Sequence, residues 1–226
     1  MLAHAVAARL ITAIADAQAE RGEASVVLAG GTVAIASLAA VAASPARGAV
    51  DWSHLDLWWG DERYVESDSP DRNELQARTA LLDHAPIDAD RVHPMGALDG
   101  PDGNDIDAAA ARYAALIEQA PAFDVVLLGM GPEGHTASIF PDSPATQDER
   151  AAFAVHNCPK PPPLRISLGF AALSRGREVW MVVSGAEKAD AVARALGGAD
   201  RVTCPAAGPR GTVATRWLLD RAAAGG

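Results

Sequence analysis

The sequence predicts an α/β fold: a doubly wound, mainly parallel sheet with helices on both faces, forming a single domain over residues 1–226. Three observations support this class. Short apolar runs alternate with Ala-rich amphipathic stretches along the chain, and a glycine often stands between the two. The run 123–128 is largely apolar, which is typical of a strand covered on both faces. Alternating strands and helices imply parallel pairing with right-handed crossovers.

The elements of this fold can be assigned in chain order. Runs rich in Val, Leu and Trp predict strands, and Ala-rich stretches after a turn predict helices. The predicted strands cover residues 25–28, 55–59, 123–128, 165–168 and 179–183. The predicted helices cover residues 32–43, 70–84, 105–119, 186–196 and 211–223. In such sheets the ligand crevice lies beyond the carboxyl ends of the strands.

Composition excludes several classes of protein. The 19 Lys and Arg residues are outnumbered by 29 Asp and Glu, for a net charge of −10, which argues against a general nucleic-acid binder. The two cysteines, Cys158 and Cys204, lie far apart with no CxxC motif, so we expect neither a disulfide scaffold nor a structural zinc site. We expect a cytoplasmic location, where thiols stay reduced.

The uncharged stretch 24–46 is interrupted by glycines and predicts a strand and a buried helix, not a membrane span. No targeting segment is expected.

The segment Gly30-Gly31-Thr32 follows the first predicted strand and opens a helix. Backbone N–H groups at a helix N-terminus form a ready anion site, and Thr32 can add a hydroxyl donor. A plain strand-to-helix turn explains the glycines equally well.

A second polar segment, Gly60-Asp61-Glu62-Arg63, directly follows the Trp-rich strand. A solvated loop is the alternative for three consecutive charged residues. Their position at a strand end favours a role for Asp61 and Arg63 in the crevice.

The segment 128–138 contains a GxGxxG pattern followed by His135. Dinucleotide binding is disfavoured because the pattern lies mid-chain, contains Pro132 and has no suitable acidic residue about 20 positions on. A helix predicted to begin here would keep His135 neutral through its dipole, so the imidazole could act as a general base. Glu133 or Asp61 could orient the ring. The other five histidines are interpreted as structural.

Two cations complete the candidate site. Arg165 opens a strand, and Lys188, one of only two lysines in the chain, stands in the first turn of a predicted helix. A lysine there opposes the helix dipole unless an anion is bound, and Arg and Lys together suit a phosphate. Ordinary surface cations are the alternative.

These segments together resemble the glucosamine-6-phosphate isomerase/6-phosphogluconolactonase superfamily, and within it the 6-phosphogluconolactonases, from about Val26 to Leu219. The matching blocks are Trp59-Gly60-Asp61-Glu62-Arg63, Asp71-Arg72-Asn73, Val92-His93-Pro94-Met95, Gly134-His135-Thr136-Ala137-Ser138-Ile139-Phe140-Pro141, Arg165-Ile166-Ser167-Leu168 and Ser184-Gly185-Ala186-Glu187-Lys188. Two positions depart from the family pattern: Glu133 stands where the family usually has Asp, and Ala29 and Val33 flank the glycine turn where Ser and Pro are common.

The resemblance implies an α/β fold and hydrolysis of a sugar-phosphate lactone, without metal or cofactor, in the oxidative pentose phosphate pathway. It implies His135 as the general base, assisted by Asp61 or Glu133. It implies that substrate is bound by Gly30, Gly31, Thr32, Arg63, Asn73, Arg165 and Lys188, the phosphate by the glycine turn, Arg165 and Lys188.

Two other functions compete with this interpretation. An amino-sugar-phosphate isomerase or deaminase of the same superfamily typically has an Ile-Ala-Phe-Asn-Glu run after Gly-His, where this chain has Thr136-Ala137-Ser138-Ile139-Phe140. A non-catalytic sugar-phosphate-binding regulator would need a DNA-binding or partner module, and no such pattern is visible. We therefore expect a small-molecule sugar phosphate as partner, with no nucleic acid, membrane or obligate protein partner, and an on-rate that falls with salt.

Overall fold

The computed structural model describes residues 1–226 and contains eight strands and six α-helices. The strands are β1 (Ala24–Leu28), β2 (Leu55–Trp59), β3 (Asp61–Arg63), β4 (Val125–Leu128), β5 (Ala152–Val155), β6 (Arg165–Leu168), β7 (Glu178–Val183) and β8 (Ala214–Leu219). The helices are α1 (Leu2–Arg21), α2 (Thr32–Ala43), α3 (Asn73–Ala80), α4 (Ile106–Gln119), α5 (Phe170–Leu173) and α6 (Ala189–Leu196).

The main sheet has five parallel strands in the order β2-β1-β4-β7-β8. Every residue of β1 and β4 is buried, as expected for central strands covered on both faces. Helices pack on the sheet, so the predicted α/β class is confirmed. The carboxyl ends of β1, β2, β4 and β7 meet at one edge, where the polar segments follow them.

A small antiparallel sheet, in the order β3-β6-β5, stands beside the main one. The chain passes from β2 through Gly60 straight into β3, and the Gly60 carbonyl accepts a 2.9 Å hydrogen bond from the Leu168 N–H. Within this sheet Asp61 lies opposite Ser167 and Arg63 opposite Arg165. The strand predicted at 165–168 is therefore present, but its partner is the charged segment after β2.

Most predicted helices are confirmed, with shifted ends. Asp105 caps α4, because its Oδ1 accepts a 2.9 Å hydrogen bond from the Ala108 N–H. The helix predicted over 70–84 is shorter: α3 ends at Ala80 and a 3₁₀ turn covers Leu82–His84. A 3₁₀ turn over Ala186–Lys188 likewise precedes α6. No helix in the structure is both long and apolar enough to cross a membrane.

Two predicted features are wrong. The helix expected over 211–223 is largely strand β8, which pairs with β7 from Glu178–Ala214 to Val183–Leu219; pairing at the sheet edge overrides the helix pattern. No α-helix begins at His135, because the chain turns there, with positive φ at Ala137 and a short bridge between Thr136 and Ile139. Helix α1 and strand β5 were not assigned from the sequence.

Candidate active site

A cavity of about 730 Å³ opens at the carboxyl ends of the main-sheet strands. It lies where the crevice of an open α/β sheet is expected. The cavity is lined by nine of the ten predicted site residues: Gly30, Gly31, Thr32, Asp61, Arg63, Asn73, His135, Arg165 and Lys188. The tenth, Glu133, contacts the His135 ring from behind.

The His135 imidazole is held in one orientation by two contacts. Its Nδ1 lies 2.9 Å from Glu133 Oε1, and its ring stacks on Phe140 with centroids 4.3 Å apart. An ionised carboxylate only accepts, so Nδ1 carries the proton and Nε2 keeps the basic lone pair. Burial lowers the pKa of His135, and the nearby Lys160 charge adds to this, while Glu133 opposes it. The predicted neutral imidazole thus arises from burial and not from a helix dipole.

Glycines make room for this histidine. A Cβ on Gly131 would lie 2.1 Å from His135 Nδ1 and 2.5 Å from Glu133 Oε2. Gly134 has φ +99°, and a Cβ there would also lie 2.9 Å from Cys204 Sγ. Within the GxGxxG pattern, Gly131 therefore lets the imidazole lie against the loop backbone.

Glu133 also contacts a residue that the sequence analysis did not assign. Lys160 Nζ lies 2.9 Å from Glu133 Oε1 and 3.2 Å from Oε2. Burial raises the pKa of Glu133, but hydrogen bonds to its own backbone N–H and from Lys160, with the nearby His135, outweigh it and hold that pKa below its usual range. The scarcity of lysine in the chain was the only signal that pointed to Lys160.

Asp61 is fixed by a buried polar network. Its Oδ2 accepts a 2.7 Å hydrogen bond from Ser138 Oγ, and Asn73 Nδ2 donates to its carbonyl at 2.8 Å and to its Oδ1 at 3.3 Å. Asn73 Oδ1 is buried without a partner and lies against Gly30, where a Cβ would be only 1.9 Å away. Gly30 is thus needed for the close approach of Asn73, besides any contact with a ligand.

The two arginines of the cavity are partly committed to the protein. Arg63 Nη1 donates to the Asp71 carbonyl. Arg165 is 5% exposed, and its Nε and Nη2 donate to the carbonyls of the segment 160–162 over 3.0–3.2 Å. Its Nη1 lies 3.9 Å from Asp61 Oδ2. Of the Arg165 nitrogens, only Nη1 is therefore left to donate to a ligand. Arg165 can thus donate fewer hydrogen bonds to a phosphate than a free guanidinium could.

The other end of the cavity has the features of an anion site. Gly31, with φ +92°, caps α2 without a side-chain hydrogen bond, so the first N–H groups of that helix are free of a capping oxygen. Lys188 stands directly before α6. Asp220, which the sequence analysis missed, anchors the turn before Lys188, because its carboxylate accepts hydrogen bonds from Ser184 Oγ and the Gly185 N–H. These bonds hold the pKa of Asp220 below its usual range.

The cavity lining therefore combines two features: a carboxylate-paired imidazole, and a helix N-terminus with a lysine nearby. No group of three or more His, Cys, Asp or Glu side chains is arranged to hold a metal ion. Such an arrangement can place a base near a bound anion.

Comparison with known proteins gives the family. Residues 1–217 match the profile of the glucosamine-6-phosphate isomerases/6-phosphogluconolactonase family. The chain is 55% identical to the 6-phosphogluconolactonase of Streptomyces coelicolor, over 99% of this chain and 90% of the relative. It is 51% identical to that of Mycobacterium tuberculosis, over 99% and 93%. The crystal structure of 6-phosphogluconolactonase from Thermotoga maritima superposes with a TM-score of 0.85 at 26% identity, covering 96% of this chain and 94% of that one.

The chain belongs to this family, and within it to the 6-phosphogluconolactonase enzymes. The resemblance found in the sequence is thereby confirmed. The isomerase or deaminase and the non-catalytic regulator are not supported by these relatives.

Proposed function

We propose that the chain hydrolyses 6-phospho-D-glucono-1,5-lactone to 6-phospho-D-gluconate in the oxidative pentose phosphate pathway, with His135 activating the attacking water. The observation that carries this proposal is that His135 and the Gly31–Lys188 anion site line one cavity. A substrate with a lactone carbonyl at one end and a phosphate at the other matches both.

The phosphate end supplies binding energy. The free N–H groups at the start of α2, the Thr32 hydroxyl and the Lys188 ammonium provide donors and positive charge. Gly30 and Gly31 let the phosphate approach the backbone closely. Energy gained at this remote group orients the lactone carbonyl against the water at His135.

The chemical step is a proton transfer coupled to attack. His135 Nε2 takes a proton from water as the water oxygen bonds to the lactone carbonyl carbon, giving a tetrahedral oxyanion. When the intermediate collapses, the carbon–ring-oxygen bond breaks, and the ring oxygen takes the proton back from the imidazolium. Glu133 stabilises the imidazolium between the two steps. General-base help of this kind contributes ~10²–10⁴ in rate.

Arg63 and the His135 N–H are the candidate donors to the oxyanion. The N–H groups of Gly131 and Gly134 are used within the loop, where they donate to the carbonyls of His135 and Gly131, whereas the His135 N–H makes no backbone hydrogen bond. Arg63 lines the cavity with Nη1 committed to Asp71, and its Nη2 has no protein partner. Asp61, held by Ser138 and Asn73, would face the sugar hydroxyls.

The test is a lactonase assay in EDTA on wild type, His135→Ala and Lys188→Ala, with spontaneous lactone opening subtracted. We expect His135→Ala to lower kcat by ~10²–10⁴ with little change in KM. Lys188→Ala should mainly raise KM, because it removes binding to the phosphate. Wild-type turnover by His135→Ala would refute the role of the imidazole, and loss of wild-type activity in EDTA would refute the metal-free mechanism.

A further inference from the structure

The Glu133 carboxylate lies between the His135 imidazole and the Lys160 ammonium. Its Oε1 is 2.9 Å from His135 Nδ1 and also 2.9 Å from Lys160 Nζ, and Oε2 is 3.2 Å from the same ammonium. Lys160 does not line the cavity, so it is not placed to touch substrate. Its only ion pair in the structure is the one with Glu133.

Lys160 is itself held in place. Arg165, on β6, donates to the carbonyls of residues 160, 161 and 162. The same segment is closed by a 2.9 Å hydrogen bond from the Cys158 N–H to the Pro163 carbonyl. A buried arginine thus fixes the backbone from which Lys160 projects, which reduces the entropy lost when the ammonium is held at Glu133.

Phe140 contacts both Lys160 and His135. The His135 ring stacks on it at 4.3 Å, and Lys160 Nζ lies over the same ring at 5.8 Å from its centroid. Lys160, Glu133, His135 and Phe140 therefore form a closed cluster in which each member restricts two others. Such a cluster defines side-chain positions more sharply than one exposed ion pair does.

Glu133 needs this restraint. It has one more rotatable bond than the Asp usual at this position, and its side chain is 35% exposed. A glutamate with that freedom can turn toward water and leave Nδ1 unpaired. The ring would then lose the contact that selects its tautomer.

We propose that Lys160 is a positioning residue for the reaction: it holds the Glu133 carboxylate against His135 Nδ1, so that Nε2 remains the basic nitrogen. This inference rests on the proposed function, since it concerns the same base. Arg165 supports it indirectly, by fixing the backbone of the segment 160–162.

The groups around His135 act on its pKa in opposite directions. Burial lowers the pKa of His135, and the Lys160 charge adds to this, whereas Glu133 and Asp61 raise it. The remaining charged or titratable neighbours act one step away: Arg165 faces Asp61, Arg194 donates to the Glu133 carbonyl, and Cys204 lies behind Gly134. Loss of the Lys160 charge alone would raise the pKa of His135, but displacement of Glu133 from Nδ1 lowers it and is the larger effect, so the sign of the shift separates a lost charge from a displaced carboxylate.

The experiment compares Lys160→Met, Lys160→Arg, Glu133→Gln and the double variant Lys160→Met/Glu133→Gln. Arg177→Met is the matched control, because Arg177 is an exposed cation without a side-chain partner, placed at the opposite end of the main sheet. We expect Lys160→Met to lower kcat about 10- to 100-fold, part of the ~10²–10⁴ of general-base catalysis, with KM nearly unchanged. Its acid limb of kcat/KM should move to lower pH, as that of Glu133→Gln does, because the displaced Glu133 carboxylate no longer raises the pKa of His135.

Lys160→Arg should recover most of kcat, because it restores both charge and donors. In the Glu133→Gln background, Lys160→Met should change kcat less than about twofold, since residues that act as one unit are not additive. Wild-type kcat in Lys160→Met, an acid limb that stays in place or moves to higher pH, or an additive double variant would each overturn the proposal.

A readout without substrate separates this proposal from the proposed function. Nitrogen chemical shifts of the His135 ring report its tautomer and pKa in the free protein. We expect an Nδ1–H tautomer in wild type and a mixture in Lys160→Met. If the tautomers are as expected but no lactonase activity is found, the proposed function fails and the positioning role stands; an unchanged tautomer in Lys160→Met overturns the positioning role alone.

Discussion

The space beside Gly131 is occupied by the paired side chains of His135 and Glu133. A methyl group there would lie 2.1 Å from His135 Nδ1, well inside contact distance, so the ring or the loop must shift. Gly30 plays the same part for Asn73, whose carboxamide occupies the place of a Cβ. At the scale of single residues, Gly30 and Gly131 are explained by the side chains packed against them, without a bound ligand.

This explanation predicts that Gly131→Ala displaces His135. We expect kcat to fall by about 10²-fold or more, because a misplaced base loses most of its contribution. Steady-state kinetics measure the loss, and thermal unfolding shows that the fold is retained. Gly48→Ala is the control, since a Cβ at Gly48 meets no atom within 4 Å. Full activity in Gly131→Ala would show that the loop absorbs the methyl group without moving the imidazole.

At the scale of elements, α3 begins at a buried carboxylate. Glu62 is 1% exposed, and it accepts hydrogen bonds from the N–H groups of Arg63 (2.8 Å), Asn73 (2.7 Å) and Glu74 (2.8 Å). Arg72 Nη2 lies 3.8 Å from it. Burial raises the pKa of Glu62 to about 7, against the opposing effects of Arg72 and these N–H groups. Glu62 thus connects β3 to α3 and places two cavity residues, Arg63 and Asn73.

Glu62→Gln should therefore lower both stability and activity. The carboxamide has one acceptor oxygen and turns an NH₂ group toward a backbone N–H, so at least one buried donor loses its partner. We expect the free energy of unfolding to fall by about 1–3 kcal/mol and kcat/KM to fall with it. Urea unfolding and kinetics at about pH 8, where the native carboxyl is ionised, measure the two effects. Glu66→Gln, at an exposed position, is the control. Equal stability of the two variants would contradict the role of Glu62 as acceptor for the N–H groups at the start of α3.

The predictions from sequence failed most clearly at the scale of secondary-structure elements. The segment 214–219 reads Ala-Thr-Arg-Trp-Leu-Leu, which lacks the alternation of a half-buried strand, and the sequence predicted a helix over 211–223 there. Its strand state is decided by pairing with β7, which lies some 30 residues earlier in the chain. The turn after His135 shows the same limit, since a helix was predicted to begin there and the chain instead turns, with a bridge between Thr136 and Ile139.

At the scale of the whole molecule, the charges that line the cavity change the salt dependence that we expect. The three cationic side chains of the cavity, Arg63, Arg165 and Lys188, are matched by Asp61, Glu187 and Asp220. The cavity lining is thus balanced, and the protein as a whole carries −10. A dianionic substrate approaching from a distance meets net repulsion, and attraction begins only near Lys188 and the α2 N-terminus.

We therefore expect kcat/KM to rise, not fall, when ionic strength increases from about 0.01 M to about 0.15 M. Over this range the screening length shortens from ~30 Å to ~8 Å, which weakens the long-range repulsion more than the contacts inside the cavity. Measuring kcat/KM at low substrate concentration over this range tests the sign. A lactone without the phosphate should show no dependence. A fall with salt would restore the earlier expectation of a net attractive pocket.

The sequence by itself determined the α/β class, the position of polar segments after strands, the family and nine residues that line one cavity. These features are local: apolar periodicity, glycine turns and several motifs in a fixed order can be recognised without knowing the contacts between distant residues. Only the tertiary structure decided that Arg165 binds its own loop, that Lys160 reaches Glu133 27 residues away, and that β3, β5 and β6 form a second sheet. The physical reason is that these contacts join residues that are far apart in the chain and packed in a poorly solvated interior. A local sequence pattern does not specify which of them come into contact.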